Sequence, residues 1–152
     1  MASWEEVAEA APEFTERVRR IFEAHRTSTL ATLRQDRSPR ISGIDPEFVD
    51  GEMMLGMMPG SLKLRDIRRD DRIAVHSAPE DPPKDDPSAW PGDAKIAGQA
   101  VEMPNLEYPE EPSLRFRVAI TEAVLTRVGS PADHLVIESW HEGRGLERRE
   151  RR

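Results

Sequence analysis

The sequence predicts a mainly β fold, an antiparallel barrel of six to seven strands with an N-terminal helix and one short inserted helix. Three observations carry that expectation. Apolar residues recur at three-and-four spacing near the start of the chain. Short runs rich in β-branched residues, some alternating with period two, fill most of the remainder between Gly, Pro and Asp turns. One capped stretch, Ser61 to Arg69, interrupts them with helical character.

The N-terminal stripe comprises Trp4, Val7, Ala8, Ala11, Phe14, Val18, Ile21 and Phe22, an amphipathic pattern whose ordinary role is packing. Pro12 lacks an amide hydrogen and crowds the preceding turn, so the pattern predicts two short helices or one kinked helix. Thr27 to Leu33 predicts a strand and Gln35 to Pro39 a turn. The strand resumes at Arg40 and runs through Gly43 and Glu47 to Val49, reaching the hairpin signal Asp50-Gly51. Glu52 to Met58 returns as a strand, which Pro59-Gly60 ends. Ser61 then caps a helix from Leu62 to about Arg69 with Leu64 and Ile67 on its apolar side. Arg72–Ser77, Ala94–Met103, Leu114–Ile120, Val124–Val128 and His134–Trp140 supply the remaining strand character.

Between these elements lie two Pro-rich acidic loops, 79–93 and 104–113. Five prolines in the first exclude a regular helix or a central strand, and Trp90 is expected to anchor it on the body of the protein. The charged tail 144–152 is expected to be a solvated end. At 152 residues and 37% apolar composition the chain supports one core and not two, so residues 1–152 are expected to form a single domain.

Composition narrows the function. The absence of cysteine excludes disulfides, thiolate metal sites and cysteine nucleophiles, so any redox role needs a bound cofactor. A net charge of -7 argues against general nucleic-acid binding, which draws on surfaces rich in Lys and Arg. No run approaches the roughly 18 apolar residues that span a bilayer, and the acidic N-terminus is unlike a signal peptide. A cytoplasmic protein without membrane or nucleic-acid partners is therefore expected. Against the acidic background, Lys63, Arg65, Arg68, Arg69 and Arg72 crowd into ten residues, a cluster suited to an anionic small molecule.

That cluster lies in the most informative segment, Met57 to Val75, a strand followed by a capped helix and a second strand. A helix N-terminus presents unpaired N–H groups and a positive dipole end, and Ser61 and Lys63 stand there, so together they suit a phosphate. The plain alternative is a surface helix with solvated basic residues. His76 sits inside a strand, where it either faces a cavity or is buried with a satisfied hydrogen bond. Trp140 suits stacking on a ring or packing in a core or interface. No His-x-x-x-His spacing and no Ser-His-Asp arrangement in a recognisable context occurs, which argues against a zinc or triad enzyme.

Taken in order, Thr29-Leu-Ala-Thr-Leu-Arg34, Ser38-Pro-Arg40, the apolar hairpin and Ser61-Leu-Lys-Leu-Arg-Asp-Ile-Arg-Arg-Asp-Asp-Arg-Ile-Ala-Val75 resemble the pyridoxamine 5′-phosphate oxidase-like superfamily, which includes enzymes using the deazaflavin F420. The likeness covers roughly residues 14 to 78 well. It extends more weakly through Lys95–Val101 and His134–Trp140. The resemblance implies a split barrel acting as a homodimer with each cofactor between two subunits. It places the cofactor phosphate on Ser61 and Lys63, with Arg40, Ser42 and Arg65 as further candidates. It also places the ring edge along the backbone of Gly43, Ile44 and Asp45, with Met58, His76 and Trp140 nearby. Asp66 stands where the family often has Asn, and Asp71 where it often has Pro; Asp66 adds negative charge beside the phosphate site.

These implications lead to a flavin- or deazaflavin-dependent oxidoreductase that transfers a hydride between FMN, or alternatively F420, and a small organic substrate. The cofactor supplies the chemistry and the protein orients it. The alternatives are a non-catalytic FMN, F420 or haem carrier or sensor on the same fold, and a structural homologue with an empty pocket.

Overall fold

Ser3 opens the first helix by accepting the Glu6 amide hydrogen on its Oγ at 3.1 Å, and Pro12 occupies the first turn of the second, where its missing N–H has no partner to lose. The computed structural model describes residues 1–152 and places these helices at α1 (Trp4–Ala10) and α2 (Pro12–Glu23). Seven antiparallel strands follow in spatial order β2-β1-β5-β6-β7-β4-β3, and β8 and β9 extend from the far half of β7. Their bounds are β1 Ser28–Leu33, β2 Pro39–Ile44, β3 Glu47–Val49, β4 Glu52–Gly56, β5 Arg72–His76, β6 Asp93–Glu102, β7 Arg115–Val128, β8 Leu135–His141 and β9 Gly145–Arg151. The inserted helix α3 spans Leu62–Arg69.

Nine strands stand where six to seven are expected, for two reasons. Asp45-Pro46 breaks the second expected strand, so that β2 pairs with β1 while β3 pairs with β4. A proline supplies no amide hydrogen to a ladder. The tail is the second correction: Gly145–Arg151 pairs with β8 over its whole length as β9, with mostly exposed side chains, and is not a free solvated end.

In the other direction, Leu114–Ile120 and Val124–Val128 belong to one strand of 14 residues, β7. Opposite β6, Ala97 faces Glu122 and Gly98 faces Ile120, leaving Thr121 as the extra residue of a bulge. The core-facing set of β7 consequently changes from Phe116, Val118 and Ile120 to Ala123 and Leu125. Gly98 is what permits this approach: a Cβ there would stand 2.0 Å from the Ala119 carbonyl oxygen.

One cluster of 26 buried residues joins the inner sheet face to Val7, Phe14, Val18, Ile21 and Phe22 of the two N-terminal helices. Trp4 and Phe48 pack with ring centroids 4.7 Å apart, which ties α1 to β3. Each full burial of a side chain such as Val18 or Phe14 contributes about 1.5–3 kcal/mol, so the α2 stripe holds the helix against the sheet. Around β1, the inner face carries Leu30 and Thr32. On the outer face, Ile41, Ala31, Ala74 and Ala97 align in one row across β2, β1, β5 and β6. Residues 79–93 contain one 3-10 turn, Pro87–Ala89, and Trp90 is half-buried behind it. No helix is long and apolar enough to cross a membrane.

Candidate cofactor groove

Helix α3 begins where Ser61 Oγ accepts the Leu64 amide hydrogen at 3.4 Å, and its apolar residues Leu64 and Ile67 are buried. That anchoring brings its opposite flank against the β1–β2 hairpin. Lys63 Nζ donates a short hydrogen bond to the Gly43 carbonyl of β2. The helix N-terminus and the β2 backbone are thus fastened together.

One turn further, the Asp66 carboxylate is 2% exposed and organises the site. Its Oδ2 accepts hydrogen bonds from Thr32 Oγ1 and Arg40 Nε, both at 2.7 Å, and its Oδ1 accepts one from Arg69 Nη2 at 2.9 Å. Burial alone pushes this carboxyl up, but the hydrogen bonds from Arg40, Thr32 and Arg69 together hold it below the usual carboxylate range. Arg69 also donates to the Leu33 carbonyl at 3.1 Å. Asp66 is therefore a neutralised strut between α3, β1 and β2, and the added negative charge expected beside a phosphate site is spent on two arginines.

Beside this strut opens a groove of about 620 Å³ whose lining includes Arg34, Arg40, Arg65 and Arg69, with Asp36 and Leu62 on its rim. Asp36 is engaged by its own turn, accepting from Ser38 Oγ at 2.6 Å and from the Ser38 amide at 2.9 Å, which holds its carboxyl below the ordinary value. Four guanidiniums thus meet two carboxylates that are already hydrogen-bonded, an excess of donors that favours an anion.

At the level of sequence, no protein-family model and no curated protein matches the chain. Solved structures do. A pyridoxamine 5′-phosphate oxidase-related, FMN-binding protein from Nostoc punctiforme PCC 73102 superposes with a TM-score of 0.62 at 9% identity, covering 100% of this chain and 98% of its own. The fold is that of the pyridoxamine 5′-phosphate oxidase-related split barrels. PhzG from Burkholderia lata 383, solved with tetrahydrophenazine-1-carboxylic acid, gives 0.60 at 14% identity over 92% of this chain and 86% of that one. A heme binding protein from Mycobacterium smegmatis gives 0.55 at 14% identity over 90% and 86%. The split-barrel architecture implied by the resemblance is therefore present, together with both kinds of neighbour, flavin-binding and haem-binding.

Of the phosphate candidates, Arg40 and Arg65 line the groove, whereas Ser61 and Lys63 stand at the start of α3 outside its lining, engaged with the Leu64 amide and the Gly43 carbonyl. Ser42 lies on the inner face of β2 with a buried Oγ that has no hydrogen-bond partner. Gly43 is exposed on the opposite face, and Met58 is 75% exposed on the approach to α3. Ile44 is 4% exposed in the core, leaving only its backbone for contact. Asp45 is occupied by Arg26 Nε at 3.0 Å and Thr27 Oγ1 at 2.8 Å.

Two expectations change. His76 is neither buried nor in the groove: it stands on the outer face of β5, opposite Thr29 and Lys95, with Nδ1 2.6 Å from the Ser77 carbonyl. Trp140 is 6% exposed within the core cluster, cross-strand from Ala123, so its ring is sealed from any ligand. Missed altogether from the sequence are Thr32, Arg34 and the strut role of Asp66. The available signal was the Asp66–Arg69 spacing, an i,i+3 ion pair on one helix flank. Arg68, one position earlier, points elsewhere and donates to Glu102 at 3.2 Å and to the Ser113 carbonyl at 3.1 Å.

Proposed function

We propose that the chain is an FMN-dependent oxidoreductase, with F420 as the alternative cofactor, acting on a small organic substrate as a cytoplasmic homodimer. The observation that carries this reading is the donor excess at the α3 groove, where the residues present fit a phosphate-bearing cofactor. Arg40 and Arg65, which line the groove, would hold the phosphate with Lys63 from the first turn of α3 beside it, and the Asp66 strut fixes Arg40 in place. The flavin, when bound, supplies two-electron hydride chemistry; the protein binds, orients and excludes water.

The outer row Ile41, Ala31, Ala74 and Ala97 supports the dimer, because Ile41 is 74% exposed beside three small residues that let a second sheet approach closely. Sedimentation showing a single chain mass would remove that part of the proposal.

A second reading, a carrier without turnover, is favoured by one observation. The groove is lined by Arg, Gln, Asp and Leu, so no side chain there is poised to exchange a proton near neutral pH. Titration of the apo protein with FMN and with F420, followed by ring fluorescence, tests the cofactor. Anaerobic reduction and reoxidation then separate enzyme from carrier. Lys63→Ala is expected to weaken FMN binding by roughly 1–3 kcal/mol, the value of a charge-assisted hydrogen bond. Unchanged affinity moves the phosphate site off α3, and binding of neither cofactor ends the oxidoreductase proposal.

A further inference from the structure

A second cavity, of about 290 Å³, lies between α2, the 87–89 turn and the end of β7, and shares no residue with the α3 groove. Its wall includes Arg17, Arg20 and Arg127 as the charged groups, with Trp90, Ile21 and Pro91 as the apolar part. We propose that this cavity is a binding site for a small organic anion: a carboxylate or phosphate head on a short apolar body.

Charge is the first support. In a chain of net charge -7, three guanidiniums converge on one cavity with no carboxylate among its lining residues. Arg20 gives its Nε to Glu16 at 3.1 Å and Arg127 gives one Nη to Glu138 at 3.3 Å, and neither carboxylate lines the cavity. Arg17 has no ion-pair or hydrogen-bond partner. One full positive charge therefore remains unmatched at the opening.

The second support is independent of charge. Trp90 Nε1 and Arg127 Nε, on two of the residues that line the cavity, are buried without an acceptor. Buried N–H groups are nearly always paired, and two unpaired ones on residues of one cavity leave the protein short of acceptors beside it. Every unmatched group here is a donor, so the missing partner is an oxyanion. Ile21, Pro91 and the Trp90 ring then take the apolar body, and the volume, just under the range of drug-sized pockets, sets its size at about one ring.

The test uses the full chain and intrinsic fluorescence. Trp4 and Trp140 are each 6% exposed in the core, so a change on titration reports Trp90. Benzoate and phenyl phosphate serve as carboxylate and phosphate heads on the same body, inorganic phosphate as the head alone, and calorimetry repeats each titration. Saturation by at least one organic anion, tighter than inorganic phosphate, is expected. The exposed Arg17→Glu should weaken it by about tenfold or more, and Arg65→Glu in the other groove should leave it unchanged. Circular dichroism confirms that both variants fold. No saturation up to about 10 mM by any probe would overturn the proposal, since that limit is weaker than a millimolar site. So would an Arg17→Glu response equal to the wild type, loss of binding in Arg65→Glu, or inorganic phosphate binding as tightly as the organic anions.

Discussion

At the α3 groove four guanidiniums line a cavity beside one buried carboxylate, whereas along β7 and β8 Trp140 and Ala123 meet cross-strand inside the apolar core. Both regions carry residues that resemblance to the flavin-binding split barrels assigns to a cofactor. They differ in what is left unmatched. The groove holds more donors than acceptors, and the Trp140 wall holds nothing that a ligand can reach. An aromatic ring near a site therefore says less about binding than an unpaired donor does.

Breaking the apolar side of this comparison should produce the largest effect. Trp140→Ala is expected to cost about 3–5 kcal/mol of stability in a urea titration, as large-to-small changes in packed cores do. The fraction that remains folded should bind FMN as the wild type does. Weaker binding without loss of stability would put Trp140 at the cofactor after all. On the polar side, Asp66→Ala leaves the half-buried Arg40 without its carboxylate partner and is expected to cost about 3 kcal/mol by the same measurement. A cost near zero would mean that the strut is ornamental.

Acid sharpens the contrast. Because the folded-state Asp66 carboxyl is held below its unfolded value, its contribution is fully present above about pH 4 and is lost as pH falls through the lowered folded value. Asp66→Asn should therefore flatten the stability profile below about pH 4, and Trp140→Phe should leave its shape unchanged. At the bottom of the scale, Arg149→Ala on the exposed strand β9 should change stability by less than about 0.5 kcal/mol, its ion pair to Glu147 being 4.0 Å long and open to water.

Local chemistry made much of the fold readable. The Ser61 cap, the break at Pro12 and the turn at Asp50-Gly51 each act within a few residues, and α3 spans the expected residues from Leu62 to Arg69. What escaped depends on partners far along the chain. The Thr121 bulge shifts the period-two pattern by one residue, so one strand reads as two. β9 reads Gly-Leu-Glu-Arg-Arg-Glu-Arg, with too little apolar alternation to signal a strand that β8 nevertheless pairs. At the site, Lys63 is singled out by its place at a capped helix N-terminus and by resemblance, and Arg40 by resemblance alone. The burial of Asp66 is not, since a charge is ordinarily exposed and its partners Thr32 and Arg40 lie 34 and 26 residues away.

The contact between Gly98 and the Ala119 carbonyl bears on how such distant relatives are aligned. At identities of 9–14%, residue similarity is a weak guide to equivalent positions, whereas Gly98 is marked by geometry, since no side chain fits where the two backbones approach as they do here. Columns assigned outward from that glycine, with Thr121 entered as an insertion in the facing strand, give a frame for Arg40, Lys63 and Asp66 that owes nothing to the ligand.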